Sequence, residues 1–598
     1  MGWPMAPGTS EDDKLDFDGT RRVLTRTAGM IRPYRARTIQ AFAFLVLWTG
    51  TLVAGPILVR RGIDAGISEG DTGALNVAIV LYIVVAAASY WLYRLAIRSL
   101  ALVGEGFLRD LRTTVFDRLL RQSMSFYDRS QSGVLVSRMT SDVDSLQDLV
   151  QIGLLMFVSA GLLILASGVT LAFLSWKLLL LCLATMPFII AASIKFHRDS
   201  NRAYLAVRES IGSTLSSLQE GISGVRIVQA FARESIEAER FAARNQELYR
   251  THMNSVVVAA WYLPIVEFAG AITTAFALGV GGWMVRDGQL TLGTVAAFIL
   301  ILQSMFGPVQ QLSQLFNLVQ SGTASLNKIY GLLDEDLEQE DPPSAIELGT
   351  DGSIEIDNVS FAYADGPRVL NDVDLQIAPG ERVAFVGPTG AGKSSLAKLV
   401  ARFYDPTEGS VRVGGVDLRQ STAESRRRNI TVVPQEGFLF SGTIADNIRF
   451  ARPGADDGEI IAALDRLGIT SVFEQLPDGL ATEVQERGSR LSAGERQLVS
   501  LARASLVDPS VLILDEATSS VDPGTEAVVE TAMEKLMEGR TVIAIAHRLS
   551  TSARCDRVGV VDDGRLVELG SHDELVAAGG HYGELFAAWT AGLTGAES

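Results

Sequence analysis

The chain has 598 residues, too many for one compact core, so several domains are expected. A formal net charge of −17 argues against nucleic acid, whose binders present basic surfaces. The apolar share of 47% and the mean hydropathy of +0.23 are high for a soluble protein and point to a membrane. Only two cysteines are present, Cys182 in an apolar run and Cys555 far away, which speaks against a disulfide framework or a cysteine metal site. The five histidines show no metal-ligand spacing. No cleavable signal peptide is expected, because the first apolar run starts late, is long enough to span and lacks a small-residue cleavage site.

Residues 1–37 read as a basic tail, and 38–333 as a bundle of six spans. Thr38 to Val59 and Thr72 to Tyr93 are free of acidic and basic residues up to their ends and long enough to cross a bilayer. Leu149 to Trp176 and Leu178 to Ile194 form a third and fourth span, parted by Lys177 in a very short turn. Met253 to Val285 gives a fifth, interrupted by Glu267, and Gln289 to Asn327 a sixth. Six spans put both ends on one side. Arg21, Arg22, Arg26, Arg32, Arg35 and Arg37 lie in the tail, and arginines such as Arg109, Arg118, Arg138, Arg202, Arg226 and Arg244 fill the segments after spans two and four. By the positive-inside rule the tail, both long segments and the C-terminus are cytoplasmic, in a multi-pass protein of the cell membrane. Arg60 and Arg61 go against the rule but sit at a helix end, where long side chains snorkel. Leu108, Leu111, Val115 and Leu119 repeat at helical spacing, so the spans are expected to continue well into the cytosol.

Two features of the bundle have open readings. Glu267 is either an intramembrane acid on a substrate or proton path, or a charge at the inner interface, where it costs little. Gln303, Gln310, Gln314 and Asn317 share a helix face, either lining a wet translocation cavity or bonding between helices.

Residues 334–351 are acidic, contain Pro342-Pro343 and read as a linker. In 352–590 strand-like runs alternate with helical patterns, as in an α/β domain with a largely parallel sheet, and 591–598 form a short tail. Within this domain Gly387-Pro388-Thr389-Gly390-Ala391-Gly392-Lys393-Ser394 fits the phosphate-cradling pattern. A buried strand, Val383 to Val386, precedes it. Leu396, Leu399, Val400 and Phe403 give one helix face after it. Glycines let backbone N–H groups approach a polyphosphate, and the helix N-terminus adds its dipole. Lys393 supplies charge for the terminal phosphates and Ser394, followed by Ser395, a hydroxyl for Mg²⁺.

The order of motifs resembles the ATP-binding cassette transporters, and the fused spans resemble exporter-type half-transporters, from about Ile31 to Trp589. The resemblance implies a helical membrane domain followed by an α/β P-loop ATPase domain with a helical signature subdomain. It implies that Tyr363 stacks on adenine and that Asp515, ending Val511-Leu512-Ile513-Leu514, holds Mg²⁺. Glu516 would orient the attacking water, Gln435 would reach Mg²⁺ or water, and His547 would contact the γ-phosphate. Ser519-Ser520-Val521-Asp522 resembles the loop that crosses the dimer interface.

Leu491-Ser492-Ala493-Gly494-Glu495 matches the signature position, with Ala493 in place of a glycine and Glu495 in place of a glutamine. Glu495 puts a negative charge near a nucleotide and is expected to weaken or tune that site. Val484-Gln485-Glu486-Arg487-Gly488 resembles an exporter-specific loop, with Gln485 where glycine is usual. Phe126-Tyr127-Asp128 with Gly133, Ser137, Arg138 and Asp142 resembles the first coupling loop; Glu220, Gly224, Val225, Arg226, Phe231 and Glu234 resemble the second.

One set of cassette motifs cannot complete an ATP site, so the resemblance implies a dimer, homomeric or with a second half-transporter. The favoured function is ATP-driven export or flipping of a small-molecule or lipid substrate. An importer on the same fold and an ATP-gated channel or regulator are the alternatives. Apolar spans with scattered amides suit amphipaths but select none.

Overall fold

The computed structural model describes residues 17–130, 132–337, 339–364, 366–435, 437–485, 488–515, 523–546 and 552–595. Two compact units emerge. One comprises residues up to Leu120 together with Ser132–Glu335; the other comprises Arg121–Gln131 and Asp336 onward.

The first unit is helical. Its elements are α1 (Phe17–Ile31), α2 (Arg35–Arg61), α3 (Thr72–Leu120), α5 (Ser132–Ser137), α6 (Val143–Asp148), α7 (Leu154–Leu183), α8 (Met186–Ser223), α9 (Val225–Ala230), α10 (Glu234–Arg286) and α11 (Leu292–Asp334); α4 (Met124–Arg129) belongs to the second unit. The 49 residues of α3 form one helix. At 1.5 Å per residue that is about 74 Å, more than twice the hydrocarbon thickness of a bilayer. The expected run-on of the spans is therefore continuous helix rather than separate soluble helices.

Large apolar side chains face outward all along these helices, among them Val80, Ile83, Phe173, Leu180 and Phe276. A water-soluble protein does not leave such a belt uncovered. The inner side is packed: Val53, Leu171, Leu178, Ala277, Phe298 and Ile301 form one buried cluster. Trp48 stacks on Tyr93 with ring centroids 4.5 Å apart. Asp64 ties the end of the first apolar helix to the start of α11. Its carboxylate accepts from the Thr291 hydroxyl at 2.7 Å and from the Gly293 N–H at 2.8 Å.

By length and apolarity, four helical stretches among the described residues suffice to cross a membrane: Arg21–Ser68, Thr72–Leu120, Ser132–Leu183 and Glu234–Arg286. Leu292–Met305 is a shorter apolar stretch. The segment read as span four is divided by a turn at Ala184–Thr185 between α7 and α8, and the one read as span six lies in α11; both fall outside that count. The turn after span three lies two residues earlier than Lys177. Ser175 leaves helical geometry at φ −165°, and its hydroxyl accepts from the Leu178 N–H at 3.4 Å. A serine caps a helix start better than a lysine does.

The second unit is built on β1 (Ile354–Ala362), β2 (Arg368–Ile377), β3 (Arg382–Val386), β4 (Glu408–Val413), β5 (Val416–Asp417), β6 (Ile430–Val433), β7 (Val511–Asp515), β8 (Thr541–Ile545), β9 (Arg557–Asp562) and β10 (Arg565–Gly570). One sheet runs β10-β9-β3-β8-β7-β6, parallel throughout except for the β9–β10 hairpin. The other, β2-β1-β4-β5, is antiparallel. Around them lie α12 (Lys393–Val400), α13 (Ala423–Asn429), α14 (Ile444–Arg449), α15 (Asp457–Leu467), α16 (Thr470–Glu474), α17 (Ala493–Val507), α18 (Pro523–Met537) and two terminal helices, His572–Ala578 and His581–Gly595. The central strands are apolar throughout and buried on both faces: Val383 to Val386, Val511 to Leu514 and Val542 to Ile545 are all closed to solvent. That is the signature of a parallel sheet covered on both sides.

Candidate active site

The register of the parallel sheet decides what comes together. Strand β3 pairs Phe385 with Ile545 of β8, and β8 pairs Ile545 with Asp515 of β7. The carboxyl ends of these three neighbours are therefore level. The phosphate loop leaves one of them and Asp515 ends another, at the edge where open α/β sheets bind ligands. Glu516, His547 and Asp522 lie outside the described residues; Asp515 and Ile545 are the strand ends that precede the first two.

The loop itself is shaped by glycine. Gly387, Gly390 and Gly392 take φ of +141°, +86° and +110°. At Gly387 an added Cβ would lie 2.0 Å from the Val561 carbonyl oxygen, so the loop presses on the backbone of β9 there. The Ala391 carbonyl accepts from the Gly564 N–H at 3.1 Å, a second strap to the β9–β10 turn. Pro388, Thr389 and Gly390 form the exposed crest. Gly392 is the N-cap of α12, and no side chain caps that helix. Its first amides are thus left for an anion. Lys393 is 5% exposed, and its ammonium donates to the Gly387 and Pro388 carbonyls at 2.8 Å each. Ser394 is half-buried, while Ser395 is buried and its hydroxyl is 2.9 Å from that of Tyr363.

Tyr363 is half-buried where β1 gives way to a turn. Its ring meets those of Phe361 and Tyr404 edge-on at 4.7 and 5.1 Å, and the Lys398 ammonium lies 5.6 Å from its centroid. Gln435 is exposed just past β6, the strand beside β7. Ser394, Asp515 and Gln435 all offer hard oxygen donors. That set fits Mg²⁺, which takes one or two carboxylates and completes its shell with phosphate and water. Among the described residues no group of three or more histidine, cysteine or acidic side chains could hold a metal ion.

The signature lies at the start of α17. Ser492 is its N-cap: the serine hydroxyl accepts from the Glu495 N–H at 3.2 Å, and the Glu495 carboxylate accepts from the Ser492 N–H at 2.7 Å. This is a reciprocal capping box, a geometry that glutamate and glutamine both satisfy. The charge of Glu495 is thus engaged with backbone at a positive helix end. Ala493 is partly exposed and Gly494 buried. Gln497 on the same helix donates to the Pro434 carbonyl at 3.3 Å, tying the signature helix to the segment of Gln435. Arg503, six residues further on, donates to the Phe438 carbonyl at 2.7 Å and to the Asn447 side chain at 2.8 Å; burial pushes its pKa down. Gln497 and Arg503 carry no motif signal, and only the fold reveals them. Gln485, where glycine is usual, adopts φ +38°, a left-handed value that explains the family preference. Glu486 and Arg487 lie outside the described residues.

Of the first coupling stretch, Phe126-Tyr127-Asp128 belong to this unit, whereas Gly133, Ser137, Arg138 and Asp142 belong to the helical one. Ser123 caps α4 by accepting from the Phe126 N–H at 3.3 Å, Phe126 is buried, and the Tyr404 hydroxyl donates to the Asp128 carboxylate. Burial raises the Tyr404 pKa, and the Asp128 bond raises it further. In the second loop Gly224 separates α8 from α9, and Ala232 at φ +49° separates α9 from α10. Ile227 and Phe231 are exposed there. Within the bundle, Glu267 is exposed beside buried Val266, and Gln303 is exposed. The side chains of Gln310, Gln314 and Asn317 lie outside what the structure describes.

Residues 38–309 match the family model of the ABC transporter transmembrane region, and residues 370–519 match the ABC transporter family model. An uncharacterized ABC transporter ATP-binding protein of Bacillus subtilis is 36% identical over 96% of each chain. An ATP-dependent lipid A-core flippase of Syntrophus aciditrophicus is 35% identical over 95% of each. The solved structure of a bacterial Atm1-family ABC exporter with ATP bound superimposes with a TM-score of 0.78 at 29% identity, covering 93% of this chain and 98% of that one. A helical membrane domain and a nucleotide-binding domain in one polypeptide, matched end to end by such relatives, make this chain a member of the ABC transporter family: an exporter-type half-transporter that binds and hydrolyses ATP.

Proposed function

We propose that two copies of this chain sandwich two Mg-ATP, each between the phosphate loop of one copy and the signature of the other. The observation that carries this reading is the level alignment of the phosphate loop, Asp515 and the Ile545 strand end at one sheet edge. In it Lys393 and the α12 amides hold the β- and γ-phosphates, and Tyr363 supports the adenine. Ser394, Asp515 and Gln435 hold Mg²⁺, which would offset charge on the phosphate oxygens. Glu516 positions the attacking water, His547 contacts the γ-phosphate, and Asp522 reaches across the dimer. Ser492 and Gly494 present the α17 N-terminus to the partner's γ-phosphate.

A homodimer is favoured over a heterodimer because Glu495 closes the same cap a glutamine would, so the altered signature does not require an unequal second site. Six spans, with both termini in the cytoplasm, carry the substrate. Residues 38–333 form the membrane domain, 334–351 the linker and 352–590 the cassette. Closure of the cassettes passes through Phe126–Asp128 and through Gly224–Phe231 to helices embedded in lipid, turning the cavity outward; hydrolysis resets it. The substrate is an amphipath, lipid-like or drug-like. The apolar bundle and the similarity to a lipid A-core flippase support that class.

The test is ATP turnover of the purified chain alone in lipid. Robust turnover abolished by Glu516→Gln is the expected result. Negligible turnover of the wild type would point to a missing second half-transporter, and full turnover in Glu516→Gln would overturn the assignment of that residue.

A further inference from the structure

Tyr363, the adenine platform of the proposed function, is held from several sides. Its hydroxyl lies 2.9 Å from that of buried Ser395 in α12. Phe361 meets its ring edge-on at 4.7 Å and Tyr404 at 5.1 Å. The Lys398 ammonium lies 5.6 Å from the Tyr363 centroid and 5.8 Å from that of Tyr404, so one cation spans both rings. Tyr363 itself is half-buried, with surface left for a base.

Tyr404 has a second attachment. It is buried, it packs on Phe361 at 5.6 Å, and its hydroxyl donates to the Asp128 carboxylate in α4. The backbone around it is pinned. The Phe403 N–H donates to the Lys398 carbonyl at 2.9 Å, and buried Arg402 pairs with Asp405 at 3.0 Å. A push on the Tyr404 ring edge is therefore taken up at its hydroxyl rather than by the chain. On the receiving side α4 is a single short helix of six residues, capped by Ser123 and seated on buried Phe126. Asp128 thus moves with the whole of α4.

We propose that Tyr404 is a positioning residue that carries the presence of a nucleotide base from Tyr363 to Asp128, so that the coupling stretch responds to a base and not to phosphates alone. This rests on the reading of Tyr363 as the adenine platform. A base stacked on Tyr363 fixes that ring, and the fixed ring fixes the edge of Tyr404. The Tyr404 hydroxyl then holds Asp128, and with it α4, in one place. Phosphates alone engage Lys393 and the start of α12 but leave the Tyr363 ring free to move. The consequence is selectivity: a polyphosphate without a stacking base occupies the phosphate loop yet does not drive the coupling stretch.

The test is hydrogen exchange of the full chain in nanodiscs, read in peptides covering residues 121–131. One sample carries saturating Mg-AMP-PNP, the other saturating Mg-tripolyphosphate, which has the phosphates and no base. In wild type AMP-PNP should slow exchange there by roughly 2- to 12-fold more than tripolyphosphate, the span of one edge-on aromatic contact. Tyr404→Phe keeps the ring and loses the hydroxyl. It should bind AMP-PNP as wild type does, yet lose the difference between the two ligands. Asp128→Ala should lose that difference too, whereas Asp128→Asn, which keeps an acceptor, should retain it. Equal slowing by both ligands in wild type, or a base-dependent difference that survives in Tyr404→Phe, overturns the relay. So does exchange in Tyr404→Phe that is faster by the same factor with either ligand, the mark of a purely structural role. Tyr363→Ala tells that failure from failure of the underlying reading: it should weaken AMP-PNP binding and spare tripolyphosphate. Unchanged AMP-PNP affinity in Tyr363→Ala would overturn the adenine platform, and the relay with it.

Discussion

Gly387→Ala tests whether the phosphate loop is held by close backbone contact rather than by sequence pattern alone. The new Cβ would lie 2.0 Å from the Val561 carbonyl oxygen. A carbon–oxygen contact settles near about 3.3 Å. The loop and β9 must therefore part by more than an ångström, across a turn that the Ala391–Gly564 hydrogen bond holds shut. Overpacking of that kind costs about 1–3 kcal/mol. The backbone adds a further cost of about 1–3 kcal/mol, because φ +141° lies where only glycine is at ease. Gly390 supplies the control: its φ is +86°, but an added Cβ meets nothing within 4 Å. Only the left-handed cost of about 1–2 kcal/mol applies there. At roughly 2–4 °C per kcal/mol for a domain of this size, Gly387→Ala should lower the apparent unfolding midpoint of the cassette by about 4–24 °C, and Gly390→Ala by about 2–8 °C. Scanning fluorimetry of the full chain in detergent reads both, and binding of a fluorescent ATP analogue checks the loop. Equal shifts, or a Gly387→Ala protein as stable as wild type, would refute the reasoning.

Two other predictions concern named side chains. Burial and the bond to Asp128 raise the Tyr404 pKa above its ordinary 10. Its stabilising contribution is intact below pH 10 and is lost as pH rises from there through the raised value, because the unfolded state ionises first. Alkaline unfolding followed by fluorescence should be shallower above pH 10 in Tyr404→Phe; an unchanged profile would mean that the buried phenol is not its source. At the signature, Glu495→Gln keeps an acceptor for the Ser492 N–H and should cost under about 1 kcal/mol, with ATP turnover near wild type. Glu495→Ala removes the acceptor, should cost about 1 kcal/mol and should depress turnover more; the reverse order would show that the charge, not the cap, matters.

Much of the ATP-binding half was legible because its signals are local. The apolar run before Gly387 and the helix face after Lys393 sit beside the loop in sequence, and strand and helix form there. The bundle was legible in its apolar runs, but its turns were not. Lys177 drew attention as the first charge, whereas the chain breaks at Ser175, whose hydroxyl can cap the next helix. Glu495 read as a charge because sequence reports valence and not orientation; the carboxylate turns back onto the Ser492 N–H. The partner of Asp128 is Tyr404, 276 residues away, and no local pattern encodes such a pair. The antiparallel sheet β2-β1-β4-β5 escaped for the same reason, since its order is set by a return strand after α12.

The account rests on one phosphate loop being completed by another copy's signature. Mixing Lys393→Ala chains, whose loop is dead, with Ser492→Arg chains, whose signature is dead, measures this directly in lipid after co-assembly. Each variant alone damages both sites of its dimer, while a mixed dimer keeps one site whole. The account predicts turnover in the mixture well above that of either variant by itself; a mixture as inactive as its parts would contradict it.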